Sequence, residues 1–112
     1  MAKAESKKNL HLHKQTGIAS YFNDKYQGKR TASGEPYNKF DLTAAHATLP
    51  FGTIIHVVNL RNHHSVDVRV NSRAHRANKR LLDLSKQAAI ELGFIQAGTA
   101  KVAISVLRLG KA

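Results

Sequence analysis

The chain has 112 residues, enough for one small domain with a single core and too few for two. Lys and Arg number 18 against 7 Asp and Glu, a formal charge of +11 that excludes an acidic mimic and makes polyanions the natural partners: nucleic acid, anionic lipid or an acidic wall polymer. A hydrophobic fraction of 42% argues against disorder, and the absence of cysteine excludes a disulfide framework, a thiolate nucleophile and a Cys-based zinc site.

In chain order, Met1–Lys14 opens basic but has no apolar stretch behind it, so it reads as a flexible basic arm and not as a secretory signal. The expected division is an arm over residues 1–16 and a β-rich domain over 17–109. Nowhere does an apolar run approach the roughly 20 residues of a membrane span. Gly17–Phe22 reads as a short strand, and Asn23–Asp41 as a polar, turn-rich stretch carrying Gly28, Gly34 and Pro36. Leu42–His46 is too short to decide between a helical turn and a strand edge, and Leu49–Gly52 reads as a turn.

Thr53–Asn59 and Ser65–Asn71 are the clearest strands; in the second, Val66, Val68 and Val70 alternate with Asp67 and Arg69. Leu60–His64 connects them as a hairpin, with Asn62 suited to a left-handed turn position. Lys79–Leu84 is a third strand-like piece. Ser85–Leu92 reads as a helix with Ser85 as N-cap, Gly93 just past its end, and Ala88, Ala89 and Leu92 on its buried face. Ala100–Leu107 closes the chain as a strand. Several short strands with one helix predict a small barrel, mainly β.

Three constellations could carry chemistry. Glu35, Asp41, Thr43 and His46 precede the hairpin, and a folded-back loop could join a carboxylate to an imidazole; otherwise Glu35 is a solvated turn residue and His46 a packed one. Arg61, Arg69, Arg73, Arg76, Lys79 and Arg80 face a single acid, Asp67, across the same stretch, which suits an anion-binding surface or a solvated loop. His11 with His13, and His63 with His64, invite a metal reading, but no carboxylate completes a ligand set, so no metal and no cofactor is expected. There is no P-loop, no GxGxxG after a strand and no GxSxG elbow.

Gly17-Ile18-Ala19-Ser20-Tyr21-Phe22 followed by Gly28-Lys29-Arg30-Thr31-Ala32-Ser33-Gly34-Glu35 resembles the opening of the rare lipoprotein A (RlpA) family. Leu42–Thr53 (LTAAHATLPFGT) resembles that family's most diagnostic block, and Val57–Leu60, Val68–Asn71 and Arg80–Ser85 follow in the family's order. The resemblance covers residues 17–107. It implies a six-stranded double-psi β-barrel, the fold of expansins and barwin-like proteins, in a bacterial cell-envelope protein, periplasmic or associated with the outer membrane. It implies endolytic lytic transglycosylase activity on peptidoglycan glycan strands, with a preference for strands stripped of stem peptides. Family members are often lipoproteins with an added peptidoglycan-binding SPOR domain; these residues carry neither a lipobox cysteine nor such a domain.

The family's groove is lined by a Glu, a His and an Asp. The resemblance carries the Glu onto Glu35 and the His onto His46, and it puts Thr43, Asn71, Arg73, His75 and Tyr21 forward as substrate contacts. The Asp belongs to an Asn-Asp-Arg-Gly-Pro motif that here reads Asn71-Ser72-Arg73-Ala74-His75, so Ser72 stands at the acid's position. Cleaving the MurNAc–GlcNAc bond requires a proton for the leaving oxygen and removal of one from the sugar's own primary hydroxyl, which attacks to give the 1,6-anhydro product. A raised-pKa carboxylic acid is the usual donor, and a serine hydroxyl is far too weak an acid to replace it. His46 could serve as acid and base in turn with Glu35 orienting it or donating, or His75 could reach the groove; Asp83, beside the helix cap, reads as structural.

The leading expectation is therefore glycan binding with cleavage through Glu35 and His46. A wall-binding or regulatory module without catalysis is the second, with Tyr21, Phe22, Tyr26, Tyr37, Phe40 and Phe51 available either to stack on sugars or to pack the core. Nucleic-acid binding, which composition alone suggests, has no supporting motif, and a monomer is the default.

Overall fold

The computed structural model of the protein describes residues 14–75 and 79–111. Among the described residues, six strands run as β1 (Gln15–Tyr21), β2 (Thr43–Ala45), β3 (Ile54–Asn59), β4 (Ser65–Ser72), β5 (Leu82–Leu84) and β6 (Ala100–Arg108), with an α-helix, α1 (Lys86–Leu92), between β5 and β6. They close into a barrel in the order β1-β5-β2-β4-β3-β6. β1 with β5 and β2 with β4 are parallel; the other pairs are antiparallel. Closure leaves no free sheet edge, which protects short strands from pairing with other chains.

The alternation in β4 decides its faces. Val66, Val68 and Val70 point into the core while Asp67 and Arg69 point out. Ile55 and Val57 of β3, Leu82 and Leu84 of β5, and Val102 and Ile104 of β6 fill the rest of a largely aliphatic interior that also holds Phe94. Each fully buried aliphatic side chain contributes about 1.5–3 kcal/mol relative to exposure. α1 closes over this core with Ala88, Ala89 and Leu92, as its periodicity predicts. Ser85 caps it, its Oγ accepting from Ala88 N, and Gly93 ends it in the left-handed region at φ 78°.

Several boundaries differ from the sequence reading. β1 starts at Gln15, so Gln15 and Thr16, taken as the end of the arm, pair with Ile104 and Ala103. The undecided Leu42–His46 piece is a strand, because β2 gains partners on both sides, β4 and β5. Of Lys79–Leu84 only Leu82–Leu84 is strand; Lys79 takes φ 58°, which an extended strand excludes. The left-handed residue of the hairpin is His63 (φ 65°) rather than Asn62. Asn62 uses its side chain instead, accepting from His64 N at 2.9 Å and donating to Leu92 O at 3.0 Å. His11, His13, Arg76 and nearly all of the basic arm lie outside the described residues.

Candidate active site

The candidate residues gather around the C-terminal half of β4. There the pairing with β2 slips: Ala44 faces Val70 but Ala45 faces Ser72, so Asn71 is bulged out of register. A bulge re-aims side chains, and both Val70 and Asn71 end up buried, breaking the alternation that holds upstream. Asn71 thereby comes beside Glu35, whose carboxyl pKa it helps to lower, while its carbonyl accepts from Ser33 N at 3.2 Å. Glu35 itself sits in a tight turn between Arg30 and Pro36, where Thr31 N donates to Glu35 O at 2.8 Å.

The partner that dominates Glu35 is Arg69, whose Nη1 lies 2.6 Å from Oε1 and Nη2 3.4 Å from Oε2. This bond, with a lesser one from Asn71, holds the Glu35 carboxyl below the usual carboxylate range despite an opposing push from burial. Glu35 is therefore ionised at neutral pH, a base or a charge stabiliser. The sequence option of Glu35 as resting proton donor is corrected by its guanidinium partner.

His46 is 3% exposed and fully engaged. Its Nδ1 accepts from the backbone N–H groups of Thr48 and Leu49, both at 3.1 Å, so the ring proton resides on Nε2. Nε2–H then donates to Gln15 Oε1 at 2.9 Å. Burial, and to a lesser degree the charge of Arg73, lower the imidazole pKa, which keeps the ring neutral. In this form His46 offers a hydrogen-bond donor and no free lone pair. A neutral imidazole with Nδ1 so filled has the Nε2 proton to donate and no free site to accept one, unlike the acid-and-base role expected from the sequence.

Ser72 joins the two. Its carbonyl accepts from His46 N at 3.1 Å and its Oγ accepts from Ala32 N at 3.4 Å. It opens onto a hollow of about 180 Å³ walled by Phe22, Tyr26, Tyr37, Lys29 and Arg30. Phe22 stacks edge-on against both tyrosines, with ring centroids 5.1 Å from Tyr37 and 6.0 Å from Tyr26.

The remaining predicted residues are distributed differently. Thr43, 3% exposed, is a barrel residue paired with Arg69. Tyr21 faces another hollow, with Asn23, Asp24 and Lys86, and its hydroxyl donates to Ile95 O at 2.8 Å. Arg73 pins the loop after β2: its Nη1 donates to Leu49 O at 2.7 Å and His46 O at 3.3 Å, and its guanidinium covers Phe51 at 4.1 Å. His75 is exposed three residues past Ser72. Asp41 is exposed and meets the helix cap through its carbonyl, which accepts from Ser85 Oγ at 2.6 Å. Asp83 accepts from Ser20 Oγ at 2.6 Å, tying β5 to β1 as a structural residue.

Among the described residues of the basic run, Arg61, Arg69 and Arg73 have different surroundings. Arg69 faces Glu35, Arg73 faces carbonyls, and Arg61 lines a cavity of about 480 Å³ at the other end of β3 beside Asn59 and Lys101. Sequence reading missed Gln15, because nothing local marks a glutamine as the partner of a histidine thirty-one positions on.

Comparison with known proteins bears on the family and the fold. A family profile described as lytic transglycolase matches residues 14–104. The endolytic peptidoglycan transglycosylase RlpA of Campylobacter jejuni is 49% identical over 94 residues, 84% of this chain and 34% of that protein. RlpA of Haemophilus influenzae is 46% identical over 95 residues, 85% of this chain and 33% of that protein. The chain thus spans about a third of the length of these curated relatives. Among solved structures, the Streptomyces papain inhibitor superposes with a TM-score of 0.68 at 22% identity, covering 85% of this chain and 94% of the inhibitor. An expansin from Clavibacter michiganensis gives 0.66 at 22% identity over 88% of this chain and 52% of the expansin. Their likeness shows the fold, a double-psi β-barrel. By sequence and by fold, the chain belongs to the lytic transglycolase family of RlpA-like barrel domains.

Proposed function

We propose that this domain binds peptidoglycan glycan strands in the cell envelope and cleaves them by lytic transglycosylation, releasing 1,6-anhydro-MurNAc ends. The observation that carries the reading is the ionised Glu35, its carboxylate 2.6 Å from the Arg69 guanidinium. In the reaction the primary hydroxyl oxygen of MurNAc bonds to its own C1 while the bond from C1 to the leaving oxygen breaks. Glu35 takes the hydroxyl proton and returns it to the leaving oxygen, so no net proton is consumed. The Nε2–H of His46 donates a hydrogen bond to a sugar oxygen in the strand. Ser72 supplies no acid, and the proton that an Asp at that position would hold has to pass through Glu35. A positioned acid or base contributes about 10²–10⁴-fold, so cleavage is slower than with all three groups.

The test incubates the full chain with denuded glycan strands and with intact sacculi, and reads anhydro products by mass spectrometry. Products that vanish in Glu35→Gln, and increase in Ser72→Asp, are expected. No products from either the wild type or Ser72→Asp would overturn the enzymatic reading. A second reading, glycan binding without cleavage, is favoured by the protonation states themselves: neither Glu35 nor His46 carries an acidic proton at neutral pH. It predicts sacculus pull-down and no anhydro products from the wild type.

A further inference from the structure

The two faces of the His46 ring are held in unlike ways. On the Nδ1 side the donors are main-chain N–H groups of Thr48 and Leu49, in a loop that Arg73 fastens through the carbonyls of Leu49 and His46. Those partners leave only if the loop moves. On the Nε2 side the partner is the side chain of Gln15, an exposed residue opening β1. A glutamine at a strand end can swing aside by rotating about its own bonds. The exchangeable side of His46 is therefore the Gln15 side.

We propose that Gln15 is a positioning residue for His46: its amide oxygen holds the ring as a neutral Nε2–H donor and marks the place that a substrate oxygen takes. The second clause rests on the proposed function; the first does not. The chemistry restricts what can replace Gln15. Because Nδ1 is filled by backbone donors, Nε2 must carry the proton, and only an acceptor satisfies it. A glycosidic oxygen, a hydroxyl or the carbonyl of an N-acetyl group meets that requirement; an ammonium group does not. The neutrality of the amide matters too. A carboxylate in its place would draw a second proton onto the ring and turn a polarising donor into an ion-paired imidazolium.

Gln15→Glu and Gln15→Met test this on the full chain by NMR of the side-chain nitrogens of His46. The wild type should show the Nε2–H pattern. Gln15→Glu should raise the His46 titration midpoint by about one pH unit or more, the effect of an opposite charge at contact distance opposing the Arg73 charge. Gln15→Met keeps the stem and removes the acceptor, so the tautomer should persist while exchange of the Nε2 proton with water quickens. Denuded glycan fragments should shift the Nε2 signal of the wild type, and the Gln15→Glu variant should lose that response.

A wild-type ring protonated on Nδ1, or a midpoint unmoved in Gln15→Glu, would overturn the positioning role. Glycan that shifts other resonances and leaves Nε2 untouched would overturn the substrate-oxygen clause. If glycan shifts nothing while Gln15→Glu moves the midpoint, the proposed function fails and the positioning of His46 by Gln15 stands.

Discussion

Arg69 and Glu35 meet through both guanidinium nitrogens across 34 positions of sequence, the shorter contact at 2.6 Å. Arg69 is the outward residue of an alternating strand, and Glu35 comes from a turn that folds back over it. The pair is 41% and 40% exposed, so solvent screens it and its contribution to stability is small. Its effect is on protonation.

Removing the guanidinium should therefore show in a titration before it shows in a melting curve. In Arg69→Gln the Glu35 carboxyl should titrate closer to its ordinary value near 4.5 than it does in the wild type. Carbon-13 NMR of the side-chain carboxyl across the acid range measures this directly. An unchanged midpoint would mean that Asn71, and not Arg69, sets the ionisation. If Glu35 is the base of a cleavage reaction, the acid limb of the rate profile should move up in the same variant.

The buried, neutral His46 makes stability depend on pH in a defined window. Its folded pKa lies below 6.5, so between the two values the unfolded chain binds a proton that the native state does not. Stability therefore falls as pH drops through the unfolded value toward the folded one, with a limiting slope of about 1.4 kcal/mol per pH unit. Glu35 acts lower, since its contribution is present above the unfolded carboxylate value and is lost as pH falls through its depressed folded one. Urea midpoints measured from pH 7.5 down to 5 should decline, and His46→Gln should flatten that decline.

Ser85 is a cap with three connections. Its Oγ accepts from Ala88 N and from Thr43 N, both at 3.3 Å, and donates to Asp41 O at 2.6 Å. Ser85→Ala removes all of these at a fully buried position. An ordinary N-cap loss costs about 1 kcal/mol, and stranded buried partners add about 1–3 kcal/mol. Equilibrium urea unfolding should place Ser85→Ala at the upper end of cap losses, near 2–3 kcal/mol.

Gly93 is required for two reasons that can be separated. Its φ of 78° is left-handed, and a Cβ there would come within 2.8 Å of Asn62 Nδ2. Gly98 has a similar φ of 81° with nothing within 4 Å of its would-be Cβ. Gly98→Ala should cost about 1 kcal/mol for the backbone alone, and Gly93→Ala distinctly more. Thermal unfolding of the two variants side by side isolates the contact with Asn62, which also anchors the hairpin to the end of α1.

The sequence made the local parts of this molecule legible. The Val66–Val68–Val70 alternation, the Ser85 and Gly93 caps and the helix face of Ala88, Ala89 and Leu92 all follow from rules that span a few residues. β2 was undecided because three residues hold too little pattern; its strand character comes from two neighbours distant in sequence. At the site, the family resemblance put Glu35, His46 and the Ser72 position forward as candidates. Their charge states were not readable, because these depend on Arg69, Asn71 and Gln15, which meet them only in the closed barrel. The family resemblance put Tyr21 forward as a substrate contact; in the fold Tyr21 lines the hollow with Asn23 and Lys86, and the neighbouring Phe22 lines the Ser72 hollow.

The strand order has a consequence for how the chain is made. Only β3 and β4 are neighbours in both sequence and space; β1 waits for β5 on one side and β6 on the other. During synthesis the first strand emerges with both edges bare and keeps them so until nearly the whole domain has followed. Such non-local pairing folds slowly, and the half-made barrel exposes an apolar strand that other chains can join. Any truncation before Ala100 leaves β1 and β3 each missing a partner, so the barrel should survive proteolytic trimming at its ends far better than cleavage that separates β6.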